Sequence, residues 1–169
     1  PGNQVRFCIL EENGQRHDMQ RALGHAHILN AVQRLASEIV IDCPANCLQP
    51  WQENDNSWDQ GQLFFTPGQV WGMPPYYAQQ MIARHYQPLG LRAEAQGAGD
   101  ALDVAAARSE DGRVVVVKMV NLGAAEAQVT LSLAGGAKRP GRARVTQLGG
   151  ALDAVHSPEQ PTAYLPTES

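Results

Sequence analysis

The sequence predicts an α/β segment followed by an all-β segment. Two short apolar runs, at residues 5–10 and 39–43, flank an amphipathic stretch. Strand, helix, strand with both strands apolar calls for a parallel pair joined by a crossover, the repeating unit of a (β/α) barrel. From residue 89 onward the texture changes. β-rich segments recur roughly every dozen residues with turn clusters between them, the pattern of an antiparallel sandwich.

Composition sets the outer limits. The chain has 169 residues, a length that suits one or two domains. With 43% hydrophobic and 18% charged residues it can bury a core. A net charge of -4 supplies no basic patch, which argues against nucleic acid or an anionic membrane surface as partner. No apolar run approaches the roughly 20 residues that cross a bilayer, and no signal peptide is visible. The chain opens Pro1-Gly2-Asn3-Gln4 without an initiator Met, so a piece of a longer protein is expected. Cys8, Cys43 and Cys47 make an odd count with no disulfide framework and no completed zinc set. They are expected to be reduced, buried thiols, and unpaired cysteines lean weakly toward the cytoplasm.

The first strand, Val5, Phe7, Cys8, Ile9 and Leu10, stops on Glu11 and Glu12, and Asn13-Gly14 is a turn signal directly behind it. A buried strand ending in acids is how a (β/α) barrel presents catalytic groups. An ordinary strand with a solvated acidic end fits the same residues. Residues 17–36 follow, with Met19, Ala22, Leu23, Ala26, Leu29, Val32 and Leu35 at three- and four-residue steps, a helical stripe. Asp18 lies at its start, where an acid favours the dipole. His25 and His27, two apart, point to different faces and form no i, i+4 metal pair. Each is expected to be a satisfied or surface helix histidine.

Residues 39–43 give the second strand. Residues 51–72 form a long polar loop holding Trp51, Trp58, Asp55, Asp59 and several amides, and it ends near Trp71. Loops of about 20 residues without regular structure are often functional. Tryptophans among amides suit a sugar, whose apolar C–H face packs on the rings; plugging an interior is equally compatible with a large ring and a polar handle. Pro74-Pro75 opens a second helix over residues 76–86. Beyond it, β-rich segments cover 89–95, 101–108, 114–121, 127–133, 142–148 and 162–165. Val114 to Val117 are apolar on both faces and predict a central strand. A domain boundary falls near Pro88.

Three stretches, FCILEENGQRHDMQRALGHAHILNAVQRL, CPANCLQPWQENDNSWDQGQLFFTPGQVWGMPPYYAQQMIARHY and LDVAAARSEDGRVVVVKMVNLG, together resemble the C-terminal part of the α-L-arabinofuranosidases of glycoside hydrolase family 51. The resemblance covers essentially the whole chain. It implies the C-terminal portion of a (β/α)8 barrel, its last two βα units, followed by an antiparallel β-sandwich. Residues 1–88 would supply barrel strands seven and eight, and residues 89–169 the sandwich. The family hydrolyses terminal arabinofuranosyl groups of arabinan- and arabinoxylan-type glycans with retention. Its nucleophile is a glutamate at the end of strand seven in a Glu-x-Asn pattern, which Glu11 and Asn13 match. Glu12 stands where the family commonly has an aromatic residue, and it is the fallback nucleophile. Asn46 occupies the place of a sugar-binding amide that is more usually Gln. The family's aromatic residue after the nucleophile has no match at Gln15; Trp51 or Trp58 would substitute for it.

A retaining glycosidase needs a second carboxyl about 5 Å from the nucleophile to protonate the leaving oxygen and then activate water. The family's acid/base lies on strand four, outside this chain, and neither Glu12 nor Glu53 matches it. The implied partners are therefore an arabinofuranose-containing glycan and the remaining N-terminal part of the same barrel. Family members are often homo-oligomers. The isolated chain is expected to be inactive and to expose apolar strand and helix faces. No cofactor or metal is required. Two other readings fit the residues: a non-catalytic carbohydrate-binding or interaction module, and a barrel glycosidase acting on another sugar.

Overall fold

The computed structural model describes residues 5–53, 60–135 and 143–169. Strand β1 (Phe7–Glu12) runs into helix α1 (Met19–Arg34), which returns the chain to strand β2 (Ile39–Pro44). β1 and β2 pair in parallel, so the two strands end together, with Glu12 opposite Pro44. Three residues of β1 span the two steps of β2 between Asp42 and Pro44, an extra residue that places an irregularity at Leu10 and Glu11. Bulges of this kind re-aim side chains and gather beside functional sites.

Helix α1 starts where Asp18 turns extended and its carboxylate accepts the Arg21 N–H at 2.9 Å, the usual N-cap geometry. Two more of the four orphan N–H groups of the first turn donate to distant carbonyls, Met19 to Ala154 at 3.0 Å and Gln20 to Leu152 at 2.8 Å. Residues near the end of the chain therefore close the start of the helix that follows β1. Met19, Ala22, Ala78 and Ala154 form the adjoining core, with Ala26, Leu148 and Tyr164 packed against it. Two polar residues of α1, His25 and Asn30, are fully buried. They lie off the apolar stripe, and they are tolerated because each meets a carboxylate.

Strand β3 (Leu48–Pro50) pairs in parallel with β4 (Leu63–Thr66), which forms a hairpin with β5 (Gln69–Gly72). The end of the expected loop over 51–72 is therefore a strand hairpin: Pro67-Gly68 makes the turn, and Phe64 faces Trp71 across the ladder. Phe64, Trp71 and Met73 form a second core, with Trp51 against it. Helix α2 (Pro74–Arg84) follows with proline in its first turn, where no N–H is required, and packs on α1.

The remaining strands are β6 (Leu89–Leu91), β7 (Leu102–Arg108), β8 (Val115–Asn121), β9 (Thr146–Gln147) and β10 (Thr167–Glu168). β6, β7 and β8 form an antiparallel sheet, and β9 pairs with β10. The central strand is β7, not the valine run, and Val114 and Val115 are exposed at the edge. Ala105, Ala106 and Ala107 are buried; their small side chains allow α1 to approach, and Gln33 and Arg34 reach the carbonyls of Ala106 and Val104. Residues 127–133 and 162–165 are not strands. Alternation marks an extended segment, but a strand needs a hydrogen-bonded neighbour, and the described residues provide none there. His156 is fully buried and joins the halves: its Nδ1–H donates to the Gly72 carbonyl at 2.6 Å, and its Nε2 accepts the Tyr164 N–H at 2.9 Å.

The expectation of buried thiols does not hold: Cys8 and Cys47 are exposed and Cys43 is half-buried. β1 and β2 have α1 beside them and no further strand among the described residues. For the same reason Val5, Phe7, Leu10, Val40 and Ile41 are all exposed.

Candidate active site

The C-terminal ends of β1 and β2 bring together Glu11, Glu12, Asn13 and Asn46. Glu11 and Glu12 are treated differently. Glu11 is exposed, and its carboxylate accepts the Asn13 side-chain amide at 2.8 Å. Glu12 is turned onto α1. One oxygen lies 2.6 Å from the Arg21 guanidinium and the other accepts the His25 Nδ1–H at 2.9 Å. The Glu12 side chain is 9% exposed. Burial works to raise its pKa, but the hydrogen bond and charge of His25, followed by those of Arg21, outweigh it and hold the carboxyl below its ordinary value.

Asp42 lies beneath this pair, opposite Ile9 on β2. Both of its carboxylate oxygens are buried without a hydrogen-bond partner among the described residues. Burial, and then the neighbouring Glu12 charge, push its pKa up against the opposing pull of His25 and Arg21. Two carboxyl groups within one cluster are thus pushed in opposite directions. Arg21, His25 and Asp42 are absent from the sequence-derived site. Arg21 and His25 stand four residues apart, the spacing that puts both on one helix face; that was the available signal.

Asn46 is half-buried just past β2, its carbonyl accepts the Gln62 N–H at 3.0 Å, and the Ala45–Asn46 peptide is cis. Asn46 and Glu11 therefore share one end of the parallel pair. Trp51 is half-buried in the second core, edge-on to Phe64 at 5.7 Å and to Trp71 at 5.5 Å. Trp58, Asp55 and Asp59 lie outside the described residues. His27 pairs with Asp103 at 3.2 Å, on a different face from His25. A cavity of about 380 Å³ lies between the end of α1 and the β6–β7 edge, lined by Gln33, Arg34, Leu91 and Arg92 among others, away from the strand ends. Among the described residues no three His, Cys, Asp or Glu side chains are grouped to hold a metal ion. No described helix is long and apolar enough to cross a membrane.

Comparison with known proteins places the chain among glycosidase-related proteins. A family model described as the α-L-arabinofuranosidase C-terminal domain matches residues 10–169, so the chain belongs to that family. No curated protein sequence matches it. Among solved structures, the thermostable GH51 α-L-arabinofuranosidase from Thermotoga petrophila RKU-1 superposes with a TM-score of 0.71 at 17% identity, over 98% of this chain and 39% of that one. Arabinose-bound MgGH51 α-L-arabinofuranosidase gives 0.71 at 18% identity, over 92% and 24%. The GH51 arabinofuranosidase from Xanthomonas axonopodis pv. citri gives 0.64 at 18%, over 92% and 31%. These likenesses are of fold, and the chain spans between about a quarter and two fifths of those proteins.

Proposed function

We propose that this chain carries the nucleophile of a retaining α-L-arabinofuranosidase, Glu11, and that the acid/base is supplied by strands outside residues 1–169. The observation that carries the reading is the opposite treatment of the two glutamates. Glu12 is committed to Arg21 and His25 on the α1 side. Glu11 is solvent-facing at the C-terminal end of β1, beside Asn13. That end of a parallel strand is where (β/α) barrels hold their chemistry, which supports β1-α1-β2 as the last units of such a barrel, with residues 89–169 as a β-sandwich domain. The exposed Val5, Phe7, Leu10, Val40 and Ile41 suit contact with the rest of that barrel.

The reaction follows from the geometry of two carboxyls. Glu11 attacks the anomeric carbon as the carboxylate, and the leaving oxygen is protonated by a carboxylic acid about 5 Å away. The carboxylate this leaves then takes a proton from water, which attacks the anomeric carbon, breaks the ester to Glu11 and releases the sugar with retention. Asn13 holds the Glu11 carboxylate in place, and Asn46, at the same end, is within the region where a sugar hydroxyl would lie. The family match and the arabinofuranosidase neighbours support arabinofuranosyl groups of arabinan- or arabinoxylan-type glycans as substrate.

The test is covalent labelling of the full-length protein with an activated 2-fluoro-arabinofuranosyl reagent, followed by peptide mass spectrometry. Label on Glu11 is expected, together with loss of turnover in Glu11→Ala and recovery of a glycosyl azide on adding azide. Label on Glu12 would reverse the assignment. Absence of label in folded protein, with a reagent proven on another arabinofuranosidase, would overturn the sugar.

A further inference from the structure

Two residues of α1 meet the Glu12 side chain, and a glycine stands against one of them. Arg21 and His25, one helical turn apart on α1, hold its two carboxylate oxygens. Gly14, between β1 and α1, stands against the Arg21 side chain. A Cβ on Gly14 would lie 2.6 Å from both Cδ and Nε of Arg21 and 2.9 Å from Cζ. Gly14 has the space that the Arg21 side chain fills on its way to Glu12. The turn, the helix and the strand end are thus fitted around one ion pair. The Arg21 and Glu12 side chains are 13% and 9% exposed, and the His25 side chain is not exposed at all, so solvent screens the cluster little.

We infer that Glu12 is a positioning residue: held by Arg21 and His25 under Gly14, it locks the end of β1 to α1 and so fixes the direction of Glu11. The inference rests on Glu11 being the nucleophile. Its physical basis is the irregularity at Leu10 and Glu11. Between Ile9 and Glu12 the regular register is interrupted, and an irregular stretch of this kind is held less uniformly by the ladder than a regular strand. Glu11, in the bulge, is exposed and hydrogen-bonded to Asn13, two residues along the same segment. The next residue, Glu12, is tied to an independent element. Beyond the irregularity the Glu12 carbonyl still accepts the Ala45 N–H at 2.8 Å, and the side-chain lock adds a second, independent hold on the same residue. The charged and titratable groups facing Glu12 are Arg21 and His25 from α1 and Asp42 from β2.

Misplacement of a reacting group by about 1 Å can cost on the order of 100-fold in rate. The test uses the full-length protein and an aryl arabinofuranoside, with active sites counted by the fluorosugar label. Glu12→Gln, Arg21→Met and Gly14→Ala are each expected to lower kcat per labelled site by about 10- to 100-fold, with KM within about two-fold. Arg21→Lys, which keeps a cation near Glu12, is expected to retain more of kcat than Arg21→Met. Gly14→Ala is the gentlest probe, because it displaces only the end of a flexible side chain. A purely architectural role predicts fewer labelled sites but an unchanged kcat per site. That result in Glu12→Gln and Gly14→Ala, with Glu11→Ala inactive, overturns the lock and leaves the nucleophile assignment standing. Full turnover by Glu11→Ala removes the nucleophile assignment itself.

Discussion

At the scale of single residues, the molecule distinguishes two adjacent glutamates by what lies beside them. A Glu-x-Asn pattern was legible at residues 11–13, and alternation along a strand required Glu11 and Glu12 to face apart. The sequence left open which one faced the helix, because the partners of Glu12 are Arg21 and His25, nine and thirteen positions away on another element. Asp42 was invisible for a related reason: it reads as an ordinary strand-end acid until its neighbours are known. Its raised pKa means that the fold favours the neutral form. The penalty on the charged form is absent at pH below the ordinary aspartate range and grows as pH rises through it. Asp42→Asn is therefore expected to stabilise the protein at pH 7 by less than about 1 kcal/mol, discounted for solvent because the residue as a whole is only half-buried. Thermal melts from pH 3 to 7 check this, and a gain that did not shrink toward pH 3 would count against it. Glu12 has the opposite sign. Its depressed pKa gives stability that is present above the unfolded glutamate value and is lost as pH falls through the folded one.

At the scale of elements, α1 was legible in extent to within two residues at each end, because its apolar spacing and Asp18 are local signals. Its buried polar residues were not legible. Periodicity identifies apolar faces, and His25 and Asn30 are buried for their partners rather than for their hydrophobicity. Asp18→Ala is expected to cost about 1 kcal/mol, the usual loss for an N-cap carboxylate, read as a lower urea midpoint at unchanged slope. The β4–β5 hairpin is hard to read from composition, because the polar residues and tryptophans around it mask the short strands that pair Phe64 with Trp71 about the Pro67-Gly68 turn. Trp51 was a candidate sugar platform on composition. Its edge-on packing against Phe64 and Trp71 gives the ring a structural role that composition alone does not reveal.

At the scale of the whole molecule, α1 is the common wall of both halves of the chain. Asp103 of β7 accepts the Asn30 side-chain amide at 2.8 Å and pairs with Arg34 at 2.7 Å and His27 at 3.2 Å. Burial works to raise the Asp103 pKa, but the hydrogen bonds of Asn30, His27 and Arg34, with the Arg34 charge, bring it below its ordinary value. Its contribution to stability is therefore present above the unfolded aspartate value and lost as pH falls through the folded one. Asp103→Asn is expected to cost about 1 kcal/mol at pH 7, discounted because the Arg34 side chain is 40% exposed. The difference from wild type should begin to narrow near about pH 4 and shrink further as pH falls, and a constant difference across that range in a melting series would refute the pairing. None of this was legible in sequence, since α1 and β7 are about seventy positions apart and only the folded chain sets their register. The change of texture near Pro88 was legible, but not that α1 would bridge it.

The capping of α1 by carbonyls of Leu152 and Ala154 has a consequence for synthesis and for engineering. During translation the segment bearing Glu11 emerges long before the groups that complete the neighbouring helix. Until residues 152–154 leave the ribosome, the first turn of α1 is short of two acceptors and Met19 lacks its Ala154 neighbour. The helix that follows the strand bearing Glu11 is thus finished late, by sequence that is far from it in the chain. A chimera that exchanges residues 89–169 for a foreign sheet must therefore bring its own equivalent of that cap, or the strand end it leaves untouched will still lose its footing.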